Sequence, residues 1–528
     1  MSRVLIVGSG VSGTAAALAF ADRGVRARMV DVGMRPGPPT PVDRNFYEYA
    51  ERHDTFDLLV GEDFGGLANM WDKANAGPPK LVAPQFRFVT RGAAALSPVH
   101  QERFAAVQSF AQGGLANAWG AGLYEYDDRD LERFPVSRAD LEPFYVRLTR
   151  EIGISGVNDD LERFFGRGSR LQAPLTLSRN ARFLLERYRK HRAELNRRGF
   201  FLGRPRLGVL TEEKDGRRAC AYDNLEFWSP HQNAIYTPRY TLEQLVARDA
   251  LDYESGYLVK SWRRRGAVLE VLAWSPERGE HRTFSCETLV LAAGAINSAK
   301  IVLASRGDTE TRLGLMDNGA FQFPFFLVPR IGARLETDAF GLTQLNLVCE
   351  PEGDGRRHQA SLLELTGPAR AEFFGYFPLA ARSSLSMIKY FLPSMMVMQL
   401  FLPAFERCAD LSLAGDGGLD IRGREKPEEK RLIRTMVRFL RRLGAVSHPS
   451  LVTNVNYGHG IHYAGTLPMR AEPRSPYECD AAGRLHGEPG VYVVDGAAFP
   501  VLPAKNFSFT MMANAMRISA GIAAAMEG

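Results

Sequence analysis

The chain has 528 residues, 45% of them apolar, and 66 Lys and Arg against 60 Asp and Glu leave a formal charge of +6. That is enough apolar material for two or three folded units and too little charge imbalance to call for a nucleic-acid partner. Five cysteines, Cys220, Cys286, Cys349, Cys408 and Cys479, are odd in number and widely spaced. They argue against a disulfide framework and a structural zinc site, and no metal is expected.

Arg3–Val7 reads as a strand from the outset, without the charged, apolar and small-residue order of a secretory signal. With no run of eighteen apolar residues, no spanning helix is expected. A reducing cytoplasm is the simplest setting.

Gly8-Ser-Gly10-Val-Ser12-Gly13 follows the first strand, an alanine-rich helix runs to Arg23, and Val25–Val30 forms a second strand closed by Asp31. Strand, glycine turn, helix, strand and acid form a dinucleotide-binding unit. The first glycine makes the turn and the second lets backbone approach a pyrophosphate. The third packs helix on strand, and the helix N-terminus draws the phosphate charge. Asp31 would bind ribose hydroxyls. The motif does not separate FAD from NAD.

A proline-rich exit loop at 34–43 follows. Gly113, Gly114, Asn117 and Gly120 form a loop able to pass close over a flat ring. Gly65–Trp71 echoes it and has no assigned role. The pattern predicts an amphipathic helix over 128–150 and strands through 245–305. The last strand ends at Ala292-Ala-Gly294, as a FAD half-fold does on returning to the nucleotide. Residues 342–350 and 394–402 read as buried strands. A helix is expected from Pro427 to Gly444, with a solvated basic face.

The stretch 373–405 has two readings, an apolar pocket or surface in peripheral contact with lipid, or a core strand beneath the active site. The strand is preferred, because Pro393, Gln399 and Pro403 limit the run.

Near the C-terminus, His462 sits in a glycine-rich stretch, Val491–Asp495 forms a strand, and Asn506 precedes a helix over 507–525. A base near a nucleotide cofactor suggests redox chemistry on a C–H bond. His459 competes with His462 on spacing, and Asn506 has the alternative of capping the helix.

Four segments taken together resemble the glucose–methanol–choline (GMC) oxidoreductases, which bind FAD and oxidise alcohols. They are Val4–Gly13, Gly113–Gly120, Val290–Ala295, and the closing His462…Asp495…Pro500…Asn506. The resemblance implies an α/β chain, α+β overall, with a Rossmann-like FAD-binding domain interleaved with a substrate domain on an antiparallel sheet. The FAD domain would take 1–40, 100–130, 205–310 and 471–528. The substrate domain and cover segments would take 41–99, 131–204 and 311–470.

The resemblance further implies cofactor contacts from Gly8, Gly10, Ser12, Gly13, Asp31, Gly113, Gly114, Asn117, Ala118, Gly294, Asp495 and Asn506. Catalysis would fall to His462 as general base and Asn506 as the group orienting the hydroxyl. Ala116 lies where some members carry a flavin-linking histidine, so non-covalent FAD is expected. A single cysteine at Cys220 argues against an iron–sulfur cluster.

The expected partners are a small-molecule alcohol and an electron acceptor such as oxygen or a quinone. Desaturation, ketone reduction or redox-neutral flavin chemistry on the same scaffold is the alternative, and a non-catalytic nucleotide-binding protein the third.

Overall fold

The computed structural model describes residues 2–527 apart from 40, 41, 43, 44, 63, 68–78, 169 and 366–379. Residues 68–71 of the glycine-loop echo and part of the apolar stretch from 373 therefore lie outside the described residues.

Val4, Leu5, Ile6 and Val7 are buried because the strand Ser2–Val7 is central. It pairs in parallel with Ala27–Asp31 on one side and with the C-terminal half of Glu280–Leu291 on the other. Leu251–Ser255 extends the sheet in parallel beyond Ala27–Asp31, and Val491–Val493 lies parallel to Leu289–Leu291. An antiparallel hairpin, Leu258–Arg265 and Val268–Ser275, completes seven strands. Parallel strands buried on both faces must be continuously apolar, which is why these runs do not alternate. Helices Val11–Asp22 and Ser508–Glu527 pack against each other.

A second seven-stranded sheet is antiparallel. Its order is Ala445–Val446, Ala320–Leu327, Met395–Phe401, His358–Glu364, Thr343–Cys349 and Phe200–Gly203, with Thr453–Val455 beside Ala320–Leu327. Its far face is greasy. Met396, Met398 and Leu400 meet helices Arg179–Arg197 and Lys430–Arg442 through Leu184, Met436 and Leu440. Arg434, Arg438, Arg441 and Arg442 stay exposed on the outer side of the second helix, as the charge pattern predicts. A four-stranded sheet from Val99–Glu102, Leu313–Leu315, Ala409–Leu413 and Leu419–Gly423 is not hydrogen-bonded to either, and its Leu315, Leu411 and Ile421 share the core of the parallel sheet.

Two expected boundaries move. The helix read from 128 begins at Arg138, because 127–134 form turns before Pro135 and Ser137 with Asp140 builds a capping box. The helix read from Pro427 begins at Lys430, after Glu429, whose carboxylate is gripped by both terminal nitrogens of Arg356 at 2.8 and 2.9 Å. The stretch 394–402 is a strand, Met395–Phe401, central in the antiparallel sheet.

Candidate active site

A cavity of about 420 Å³ runs from the Gly8 turn to the antiparallel sheet. One end lies at the carboxyl ends of the parallel strands, where Val7 leads into Gly8, strand Ala27–Asp31 ends in Asp31, Leu291 leads to Gly294 and Val493 to Asp495. Open parallel sheets bind ligands there.

The glycines of the turn answer to different constraints. Gly8 has φ +97°, and a Cβ on it would meet the Ala292 carbonyl oxygen at 2.7 Å. A Cβ on Gly13 would lie 1.9 Å from the Gly8 oxygen, so Gly13 is demanded by helix-to-strand packing. Gly10 has ordinary backbone, φ −65°, and nothing among the described residues within 4 Å of an added Cβ. Neither its conformation nor its protein neighbours require a glycine. What Gly10 leaves free is room in the cavity.

Ser12 also lines the cavity, and its Oγ is buried without a hydrogen-bond partner among the described residues. Gly13 contributes to the framework and not to the wall. Asp31 accepts from the Ser9 hydroxyl and, at 3.2 Å, from the Ser9 N–H. Burial pushes its carboxyl up to about 6.

Gly113, Gly114, Ala116 and Ala118 lie along the wall, and the Gly113 N–H donates to Ser9 Oγ at 3.0 Å. Asn117 is placed behind them. Its Nδ2 donates to the carbonyls of Gln112 at 2.9 Å and Gly114 at 2.7 Å, so it braces the loop from outside the cavity. Asp495 accepts from the Gly294 N–H at 2.8 Å, Ser298 Oγ at 2.6 Å and the Ala497 N–H at 2.9 Å. Asp495 thereby ties the C-terminal strand to the Gly294 turn, and burial raises its carboxyl above the usual range.

At the other end His462 and Asn506 line the same cavity, as does His459. The His462 N–H donates to Asp317 Oδ1 at 3.0 Å and that of Gly458 to Oδ2 at 2.7 Å, so one buried carboxylate shapes the loop. His462 Nδ1 lies 2.9 Å from Asn318 Oδ1. The Asn318 Nδ2 is already spent on the carbonyls of Leu402 at 2.7 Å and Pro503 at 3.2 Å. The amide is therefore oriented, its oxygen can only accept, and Nδ1 must carry the proton. The lone pair is left on Nε2.

Phe401 and Phe507 flank the ring at 4.9 and 5.3 Å between centroids. Desolvation lowers the imidazole to about 4. At neutral pH the His462 imidazole is uncharged.

Asn506 receives no capping bond from the helix it precedes among the described residues. Its backbone N–H donates to Gln359 Oε1 at 3.2 Å, and its Oδ1 is buried without a partner among the described residues. Reasoning from sequence missed Asp317, Asn318, Ser361 and Gln399. The only signal was a polar residue at alternate positions of otherwise apolar strands, and for Asp317-Asn318-Gly319 a pattern that reads as a turn.

All five cysteines are buried and unpaired, and among the described residues no cluster of His, Cys, Asp or Glu is arranged to hold a metal. No helix among them is long and apolar enough to cross a membrane.

Residues 419–515 match the family model described as GMC oxidoreductase. No curated protein sequence matches the chain. Among solved structures, pyridoxine 4-oxidase from Mesorbium loti superposes with a TM-score of 0.57 over 98% of both chains at 13% identity. At that identity the likeness is one of fold.

Proposed function

We propose, for a chain whose residues 419–515 match the family model of the GMC oxidoreductases, that the cavity binds FAD non-covalently and oxidises an alcohol. The observation that carries the reading is the oriented pair Asn318–His462, which presents an unprotonated Nε2 in the cavity that also holds the glycine turn.

The residues suit the cofactor. Gly10 leaves space where a pyrophosphate would approach, Ser12 offers an unused hydroxyl at a helix N-terminus, and Asp31 suits a ribose. Ala116 and Ala118 offer no side chain for a covalent link. The five separate buried thiols fit a reducing cytoplasm.

When bound, FAD supplies the acceptor for the carbinol hydrogen and its electron pair. His462 Nε2 accepts the hydroxyl proton. Asn506 Nδ2 donates to the carbinol oxygen, holding it in place and stabilising charge as the proton leaves. Phe401 and Phe507 keep water from the imidazole, which holds it neutral and ready to accept. The electron acceptor that completes turnover is oxygen, a quinone or a comparable oxidant.

The test is an anaerobic screen of alcohols against the FAD-loaded protein, followed by His462→Ala. Alcohol should bleach the flavin without nicotinamide. The variant should keep its flavin and reduce it ~10²–10⁴-fold more slowly, the usual weight of positioned proton transfer. Reduction as fast as in the parent would remove His462 from the mechanism.

A further inference from the structure

The cavity face of the antiparallel sheet carries a polar row that the chemistry at His462 does not use. Gln322 pairs with Gln399, Gln399 with Ser361, and Ser361 with Asn346, so four neutral polar residues cross four adjacent strands at one level. The alternate positions Phe321, Leu400, Ala360 and Leu347 face the opposite core. Ser361 and Gln399 line the cavity. On a buried sheet face, a transverse polar row is costly unless something pairs with it.

The row is partly committed. Asn346 Oδ1 accepts from Ser361 Oγ at 3.1 Å and from Gln359 Nε2 at 3.3 Å, while its Nδ2 donates to Tyr124 Oη. Ser361 has therefore spent its proton and turns only lone pairs to the cavity. The Gln399 amide makes no side-chain hydrogen bond among the described residues, so it can both donate and accept.

Position matters as much as chemistry. Gln399 is one same-face step from Phe401, the ring against His462, and that step is ~6–7 Å along a strand. On the far side of the row the cavity is lined by Leu363 and its cross-strand neighbour Thr343, an apolar side chain and one neutral hydroxyl. No residue of the row is ionisable.

We infer that Gln399 and Ser361 form a second anchoring point for the substrate, which receives an uncharged hydrogen-bond donor, a hydroxyl, one strand step from the reacting carbinol. The substrate class is then a neutral diol-type alcohol on an apolar frame, not a monofunctional or charged alcohol. This rests on the alcohol-oxidising reading of His462, and binding and reduction are measured separately so that the two can fail independently.

Para-substituted benzyl alcohols place a variable group across a rigid frame from the carbinol. The FAD-loaded protein is titrated anaerobically with the hydrogen, methyl, methoxy, hydroxy and carboxylate members. Binding is followed by perturbation of the visible flavin band and reduction by its bleaching. The hydroxy compound should bind about 10-fold more tightly than the methoxy one, which accepts but cannot donate, and the carboxylate should bind most weakly.

Gln399→Met, close in volume, combined with Ser361→Ala should reduce the hydroxy preference to about 2-fold. Flavin content and melting temperature report whether that variant folds; if it does not, the order within the parent series decides alone. Equal binding of the hydroxy and methoxy compounds, tightest binding of the carboxylate, a preference that survives the variant, or no binding by any member each overturns the anchoring point. The expected binding order without bleaching supports the anchoring point and overturns alcohol oxidation.

Discussion

At the Gly8 end of the cavity the turns on the wall are rich in glycine and alanine; at the His462 end the wall carries aromatic and polar side chains. The first is assembled from Gly8 to Asp31, with the Gly113 and Gly294 turns laid alongside. The second draws on Asn318, Gln359, Phe401, His462 and Asn506, from five separate stretches. At one end residues are selected for side chains they lack, and at the other for the direction their side chains face. Substitutions should therefore act as exclusion at the first end and as misorientation at the second.

The largest expected effect tests exclusion directly. Gly10→Val adds a side chain into empty space on ordinary backbone. The variant should be soluble, melt within a few degrees of the cofactor-free parent, and lose the visible flavin spectrum. Gly13→Val, by contrast, forces a Cβ to within 1.9 Å of the Gly8 oxygen and should fail to fold. A Gly10→Val protein as yellow as the parent would show that the free space at Gly10 is not for the cofactor.

The next effect belongs to orientation. His462 needs its neutral form, and burial holds its pKa near 4, below the ordinary 6.5. Because the proton must be absent, activity should be level from pH 8 down to about 5 and fall as pH drops through about 4. Asn318→Leu removes the acceptor at Nδ1, releases the tautomer and should slow flavin reduction roughly tenfold, part of the ~10²–10⁴ that proton transfer supplies.

That variant also strips partners from the Leu402 and Pro503 carbonyls, so lost stability could mimic lost alignment. Asn318→Asp separates the two. A carboxylate beside Nδ1 favours the imidazolium, so the acid limb should move to higher pH. An unmoved limb would make Asn318 a structural residue only.

The same contrast explains what could be read from the chain alone. The Gly8–Asp31 unit is legible because its constraints lie within one strand, one turn and one helix. His462 and Asn506 emerged through the spacing of four segments and a family resemblance, and the structure places both on one cavity. Asn318 was invisible, since Asp317-Asn318-Gly319 reads as a turn and its partner is 144 positions away.

Gln399 was noticed only as an interruption of an apolar run. It became a candidate anchor once cross-strand register put Gln322 and Ser361 beside it. Asn117 shows the converse error of scale. The motif marks the loop correctly but cannot tell a brace behind the wall from a group on it.

The smallest expected effect lies where the two plans meet, at a polar side chain in the glycine-rich end. Ser12 Oγ is buried, lines the cavity and has no partner among the described residues. In the cofactor-free protein an unpaired buried hydroxyl is a cost of about 1–3 kcal/mol. Ser12→Ala removes that cost and should leave the cofactor-free melting temperature unchanged or slightly raised. A bound pyrophosphate, however, would lose a hydrogen bond, and FAD affinity should fall about 3–10-fold. The two shifts have opposite signs, which a packing defect cannot produce, since it would lower both. Titration of the variant with FAD, set beside the melting temperatures with and without it, reads both signs, and parallel losses would mean that Ser12 serves the helix and not the ligand.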